Sequence, residues 1–225
     1  MPYRKIILAD NEIYHVVNRS VAQVPIFEGV RDYQRALEVI DFYRHVKPFL
    51  SFSHYKRLPK EEKERFYENL KKKKHLVEIL TFCLMPNHFH FLLRQNKDGG
   101  ISTFMRTLQN SYARYFNTKN KRVGALFQSM FKAVRIETDE QLIHVSRYIH
   151  LNPVSAYLIE INDLEDYPWS SFPAYLEKSK KLFINPNSIL SHFKSKNAYK
   201  KFVSDQADYQ RKLQMIKNFN LALEE

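Results

Sequence analysis

Glycine is nearly missing from this chain. Four occur in 225 residues (Gly29, Gly99, Gly100 and Gly124), and none stands in the GxGxxG or GxxxxGKS/T spacing by which a loop cradles phosphates. Nucleotide sites of the Rossmann or Walker type are therefore excluded. Cysteine is scarcer still. Cys83 stands alone, which excludes a disulfide framework and a CxxC metal knuckle, and suits a reducing, cytoplasmic setting. No run approaches the ~18 apolar residues of a membrane span. The opening MPYRKIILADNEIYHVVNRS has no apolar core with a small-residue cleavage site, so no signal peptide is expected. What the chain has in excess is positive charge and aromatic rings: 36 Lys plus Arg against 24 Asp plus Glu, a net charge of +12, 17 Phe and 14 Tyr. A hydrophobic fraction of 44% is enough to bury a core and rules out a largely disordered chain. The basic excess argues for a polyanionic partner, nucleic acid first. At ~150 residues per domain, the length allows one large domain, or one domain with an appendage.

Residues 13–19 (IYHVVNR) are β-branched and aromatic and predict a strand. A helix is expected from Asp32 to His45, where Ala36, Ile40 and Tyr43 recur at helical spacing. Residues 55–75 carry nine basic and four acidic side chains. They read either as a solvated, salt-bridged helix or as a basic arm on nucleic acid. Two apolar runs, 76–84 and 88–94, flank Met85-Pro86-Asn87 and predict a hairpin. After Gly99-Gly100, the residues Ile101, Phe104, Met105, Leu108, Tyr112, Tyr115 and Phe116 mark an amphipathic helix. Residues 130–137 predict a further strand. Thr138-x-x-Gln141 is a capping-box pattern opening a helix at Asp139, which Asn152-Pro153 is expected to end after Leu151, because Pro disfavours a helical residue before it. Strand, helix, hairpin, helix, strand, helix fits an α+β fold, a ferredoxin-like antiparallel sheet covered by helices. The Lys- and Ser-rich stretch beyond Glu177 then turns helical, and gives an expected division into 1–175 and a C-terminal helical extension, 176–225.

Chemistry concentrates in three places. His88-Phe89-His90 lies inside a predicted strand, so both imidazoles face one side. They read either as a pair of divalent-metal ligands or as two ordinary packed histidines. On the helix from Asp139, His144, Tyr148 and Asn152 are four apart and share a face. Tyr148 offers a nucleophilic hydroxyl, which needs activation from its ordinary pKa of about 10. Asn152 offers an amide oxygen to a hard cation. The alternatives are a packing aromatic and a helix terminator. Tyr112 and Tyr115 compete as nucleophiles but lie on an apolar stripe. Between Arg94 and Arg135, nine basic side chains face one acid, Asp98, interleaved with aromatics that could stack on unpaired bases.

Five segments together resemble the REP-associated tyrosine transposases, in the single-tyrosine branch of the HUH nucleases. They are Tyr14–Arg19 (YHVVNR), Leu84–Leu93 (LMPNHFHFLL), Leu126–Lys132 (LFQSMFK), Tyr148–Val154 (YIHLNPV) and Tyr167–Ser171 (YPWSS). The resemblance runs from Tyr14 to Ser171. It implies a ferredoxin-like or RRM-like sheet with His88 and His90 on a central strand, Tyr148 as nucleophile, and Mg²⁺ or Mn²⁺ held by His88, His90 and Asn152. It further implies cleavage and rejoining of single-stranded or hairpin DNA through a 5′-phosphotyrosine, in a cytoplasmic, nucleoid-associated protein. Arg94, Arg106, Arg114, Lys121, Arg122, Lys132 and Arg135 are the expected DNA contacts. The family commonly has Arg after a GxxxQG-type stretch, whereas here Gln128 is followed by Ser129 and Met130. Two other readings stay open. One is a domesticated, non-catalytic nucleic-acid-binding protein of the same fold. The other is a metal-dependent hydrolase taking a third ligand from His15, His144 or His150. No clear helix-turn-helix is present, and the sequence leaves open whether the chain is a homodimer.

Overall fold

The computed structural model describes residues 7–46, 48–179 and 183–212. Four strands form one antiparallel sheet: β1 (Ile13–Arg19), β2 (Val77–Met85), β3 (His88–Gln95) and β4 (Lys132–Ile136), in the order β2-β3-β1-β4. With a helix-bearing crossover on either side of the β2–β3 hairpin, this is the ferredoxin-like arrangement expected from the order of elements. β1 buries Tyr14, Val16 and Asn18 in alternation, the period-2 signature of a half-covered strand. Every residue of β2 except Glu78 is buried. The hairpin turn is held from outside. The carbonyl of Pro86 accepts from the amides of Ile26 (2.7 Å) and Phe27 (3.1 Å), and that of Asn87 from Ser20 (2.9 Å). Among the described residues, no helix is long and apolar enough to cross a membrane.

The described residues divide into two compact units, the first drawn from 1–78, 86–88 and 93–135 and the second from 79–85, 89–92 and 136–225. In the first unit, α1 (Val30–Tyr43) packs on α4 (Gly100–Lys119). α4 buries the predicted stripe of Ile101, Phe104, Met105, Leu108, Tyr112 and Phe116, while Tyr115 is half-buried. Both glycines before it are needed. Gly99 has φ 64°, and a Cβ at Gly100 would run into the carbonyl oxygen of Leu76. The charged 55–75 segment is not one helix. Leu58 takes an extended conformation before Pro59, so the chain makes α2 (Phe52–Arg57) and α3 (Lys60–Lys71). Phe52, Tyr55 and Phe66 clasp Phe42 of α1 at ring distances of 5.1–6.0 Å, leaving the charged face of α3 in solvent.

In the second unit, α5 (Asp139–Ser155) runs through Pro153 instead of stopping at Leu151. Pro153 has no N–H, which orphans the carbonyl of Ile149, and the Asn152 side chain partly replaces it, donating from Nδ2 at 3.4 Å. Three further helices follow: α6 (Phe172–Tyr175), α7 (Asn187–Leu190) and α8 (Lys196–Ser204). Residues 207–212 are helical, and the predicted helix beyond 212 lies outside the described residues. His150 joins this unit's core, with one ring nitrogen 2.8 Å from the Tyr199 hydroxyl and the other 2.7 Å from Ser171 Oγ. β2 is an edge strand of the sheet, yet its outer edge is covered. Leu84 N bonds to the Trp169 carbonyl (2.8 Å), Ser171 N to that of Phe82 (3.0 Å) and Asn185 N to that of Ile79 (2.9 Å). The Tyr167 hydroxyl adds a bond to Leu84 O (3.0 Å). Thus the YPWSS segment works as a strap on an edge that would otherwise offer unpaired backbone groups.

Candidate active site

Alternation along β3 places His88 and His90 on the same face of the strand. His88 is half-buried, with Nδ1 2.6 Å from Asn87 Oδ1. Burial, and secondarily the charge of Arg19, push its pKa down to about 4. His15 on β1 is likewise lowered to about 4 by burial. His90 is only 4% exposed. Its ring meets Tyr148 of α5 edge to face, with centroids 5.7 Å apart and planes at 79°.

Helical spacing sets Asn152 one turn beyond Tyr148 on the same side of α5. The Asn152 amide donates to the carbonyls of Tyr148 (3.0 Å) and Ile149 (3.4 Å). Carbonyls only accept, so Nδ2 must face the helix backbone, which turns Oδ1, a hard oxygen donor, the other way. Gln210 Nε2 also donates to the Tyr148 carbonyl (3.1 Å), and Arg211 Nε to that of Val154 (3.1 Å). Two residues of the C-terminal extension therefore hold the helix that presents Tyr148. Nothing local in the sequence marks them, since a Gln and an Arg on a polar helix have no distinguishing pattern.

The competing tyrosines are committed elsewhere. Tyr112 is buried and donates to the Ile26 carbonyl at 2.5 Å, and burial raises its pKa far above the ordinary phenol value. Tyr115 donates to Asp32 Oδ1 at 2.9 Å, and burial and that carboxylate raise its pKa. Both phenols are held protonated, whereas Tyr148 stands beside an imidazole.

Neutral imidazoles with an amide oxygen form a donor set suited to a borderline-to-hard divalent ion, and ligating histidines must be deprotonated, which burial ensures for His88. Among the described residues no group of three or more His, Cys, Asp and Glu could hold a metal ion. A third ligand to the histidine pair would therefore be of another type. His144 pairs with Arg147 (2.8 Å) and packs on Phe202, and His150 has both nitrogens engaged, so the hydrolase reading loses two of its three candidate ligands.

The expected DNA-contact residues separate by environment. Arg94 is bound to Glu78 (2.6 Å) and Arg135 to Glu12 (2.7 Å), so their charges are largely compensated. Arg122 bonds to Asn117 Oδ1 (3.0 Å) and the Ala125 carbonyl (3.3 Å). Arg106 and Arg114 on α4, Lys121 after it, and Lys132 on β4 are exposed.

Comparison with known proteins agrees with the resemblance. Residues 49–152 match the family model described as "Transposase IS200 like". Over 105 residues the chain is 28% identical to a Haemophilus influenzae protein named "Putative REP-associated tyrosine transposase", spanning 42% of this chain and 58% of that relative. A solved structure of a REP-associated tyrosine transposase bound to a REP hairpin matches with a TM-score of 0.51 over 83% of this chain and 89% of that one, at 15% identity. That likeness shows the fold.

Proposed function

We propose that this relative of the IS200-like and REP-associated tyrosine transposases is a DNA-nicking and joining enzyme whose nucleophile is Tyr148. The observation that carries the proposal is the contact of Tyr148 with His90 within one chain, 5.7 Å between ring centroids. The Tyr148 oxygen, having given up its proton, attacks a backbone phosphorus. The phosphorus–O3′ bond breaks, the leaving 3′-oxygen gains a proton, and the 5′-phosphate remains esterified to tyrosine. The ester bond is conserved, so a 3′-hydroxyl can reverse the step and rejoin a strand without a nucleotide cofactor. His88, His90 and Asn152 would hold Mg²⁺ or Mn²⁺, which supplies charge neutralisation at the phosphoryl oxygens. Asn152 also fixes the turn of α5 that presents Tyr148, and Gln210 braces the same carbonyl. A single tyrosine against a buried histidine requires a strand that can enter alone, which favours single-stranded or hairpin DNA over continuous duplex.

The test is a panel of labelled hairpin and single-stranded oligonucleotides with Mn²⁺, resolved under denaturing conditions. Wild type is expected to give a metal-dependent covalent protein–DNA band, absent in Tyr148→Phe and retained in Tyr115→Phe. A band that survives in Tyr148→Phe refutes the assignment of the nucleophile. Binding across the panel without any adduct supports the non-catalytic reading instead.

A further inference from the structure

A cavity of about 650 Å³ opens in the first unit, lined by none of the residues assigned a catalytic role above, and its walls come from α1, α2 with the residues just before it, and α4. Arg35 of α1, Arg57 of α2, and Arg106 and Arg114 of α4 line it, with no carboxylate among the lining side chains. Among the described residues none of these four arginines makes an ion pair. Lys119, at the rim, is already bound to Asp32 at 2.8 Å. Glu38, whose field reaches Arg35, pairs with Lys56 at 2.8 Å. Four cations sharing one concavity without a counter-charge repel one another unless an anion joins them.

Arg35 is the most constrained. Its guanidinium lies 4.3 Å from the ring centre of Phe52 and 5.2 Å from that of Tyr115, two cation–π contacts that restrain the planar fork. Its Nε is buried with no hydrogen-bond partner, and among the described residues its guanidinium makes a long 3.5 Å approach to Ser53 Oγ. The Nη edge of that fork, which makes no ion pair among the described residues, is the part left to meet a phosphate. On α4, Arg106, Asn110 and Arg114 recur every fourth residue. The two arginine Cα atoms are thus about 12 Å apart along the axis, a spacing suited to successive groups on a polymer.

We infer that this groove binds the phosphodiester backbone of the nucleic-acid substrate, with Arg57 of α2 forming one wall and Arg106 and Arg114 of α4 the other. It gives Arg57, in the charged 55–75 segment, a role beyond a solvated face. The inference rests on nucleic acid being the substrate, and it names a second binding surface for it.

Binding of a labelled hairpin oligonucleotide to the full chain, over a salt series and without added divalent ion, tests it. Each arginine that ceases to neutralise a phosphate should flatten the slope of log K against log salt by about 0.9. Arg106→Ala/Arg114→Ala, both exposed and so harmless to the core, is expected to flatten it by about two. Arg57→Ala should flatten it by about one. Lys60→Ala/Lys72→Ala, which removes the same charge outside the groove, should leave it unchanged. An unaltered slope in the arginine variants, or equal flattening in the lysine control, overturns the groove while leaving Tyr148 chemistry intact. Inorganic phosphate competing mole for mole with the oligonucleotide overturns it in favour of a small-anion site. Failure of wild type to bind any oligonucleotide defeats both the groove and the proposed function.

Discussion

Replacing Asp32 by Asn should cost about 1.5 kcal/mol at neutral pH, and that cost should vanish in acid. Asp32 is fully buried and accepts from Lys119 Nζ (2.8 and 2.9 Å), the Tyr115 hydroxyl (2.9 Å) and the Glu28 amide (3.1 Å). Hydrogen bonds to a charged acceptor exceed neutral ones by about 1 kcal/mol each, so the Tyr115 and Glu28 bonds lose about 2 kcal/mol. Lys119 is 40% exposed, so its share is held to about 0.5 kcal/mol, in line with surface pairs. Relief of burying a charge returns about 1 kcal/mol. In a chain of this length the net loss corresponds to about 3–6 °C in Tm. Burial raises the Asp32 pKa, but the bonds from Lys119, Tyr115 and the Glu28 amide outweigh it, so the folded value lies below the ordinary one. A group lowered in the folded state contributes fully above its unfolded pKa of about 3.9, and the contribution is lost as pH falls through that value toward the folded one. Urea unfolding of wild type and Asp32→Asn across this range should show the gap closing on acidification. A gap under about 0.5 kcal/mol at neutral pH, or one that persists unchanged in acid, refutes the reasoning.

Two further predictions concern α5. Asn152→Ala should destabilise by about 1 kcal/mol through the Ile149 carbonyl it leaves unmet. The same change in a Pro153→Ala background, where a backbone N–H returns, should cost about half as much, which a double-mutant cycle of urea midpoints will show. His150→Ala should lose about 3 kcal/mol or more as a buried ring is deleted. His150→Phe should lose only about 1–2 kcal/mol, because the Tyr199 hydroxyl keeps Ser146 Oγ (3.0 Å) and Ser171 Oγ keeps the Phe82 amide (2.9 Å). Equal losses in the two variants by thermal melting would remove the basis for that network.

The elements that can be read from sequence are those whose signal is local. The hairpin announces itself through two apolar runs about Pro86-Asn87. The capping pattern at Thr138 is realised with one shift: Thr138 Oγ1 accepts from the Gln141 amide (3.1 Å), while Gln141 Oε1 accepts from the amide of Glu137, one residue before the cap (2.8 Å). The histidine pair follows from strand alternation, and Tyr148 with Asn152 from helical spacing. Pro153 misleads because its local rule holds for an isolated helix, whereas here a side-chain amide and buried packing carry α5 past it. The meeting of His90 with Tyr148, the reach of Gln210 and the counter-charge of Asp32 on Lys119 join residues dozens of positions apart, and no short-range pattern encodes them. The YPWSS segment is legible as a family signature but not as a strap, because its bonds reach residues of β2 that are 83 to 89 positions away.

That strap has a consequence for the chain as it is made. Phe82 and Ser171, which exchange two bonds across the β2 edge, are 89 residues apart, so at about 5–20 residues per second synthesis leaves roughly 5–20 s between them. During that interval an apolar strand with an open edge stands on the nascent polypeptide, the kind of surface that recruits other chains. Messages truncated anywhere between the hairpin and residue 171 would release products with that edge uncovered, and such products should partition into aggregates or chaperone complexes rather than fold as smaller active forms.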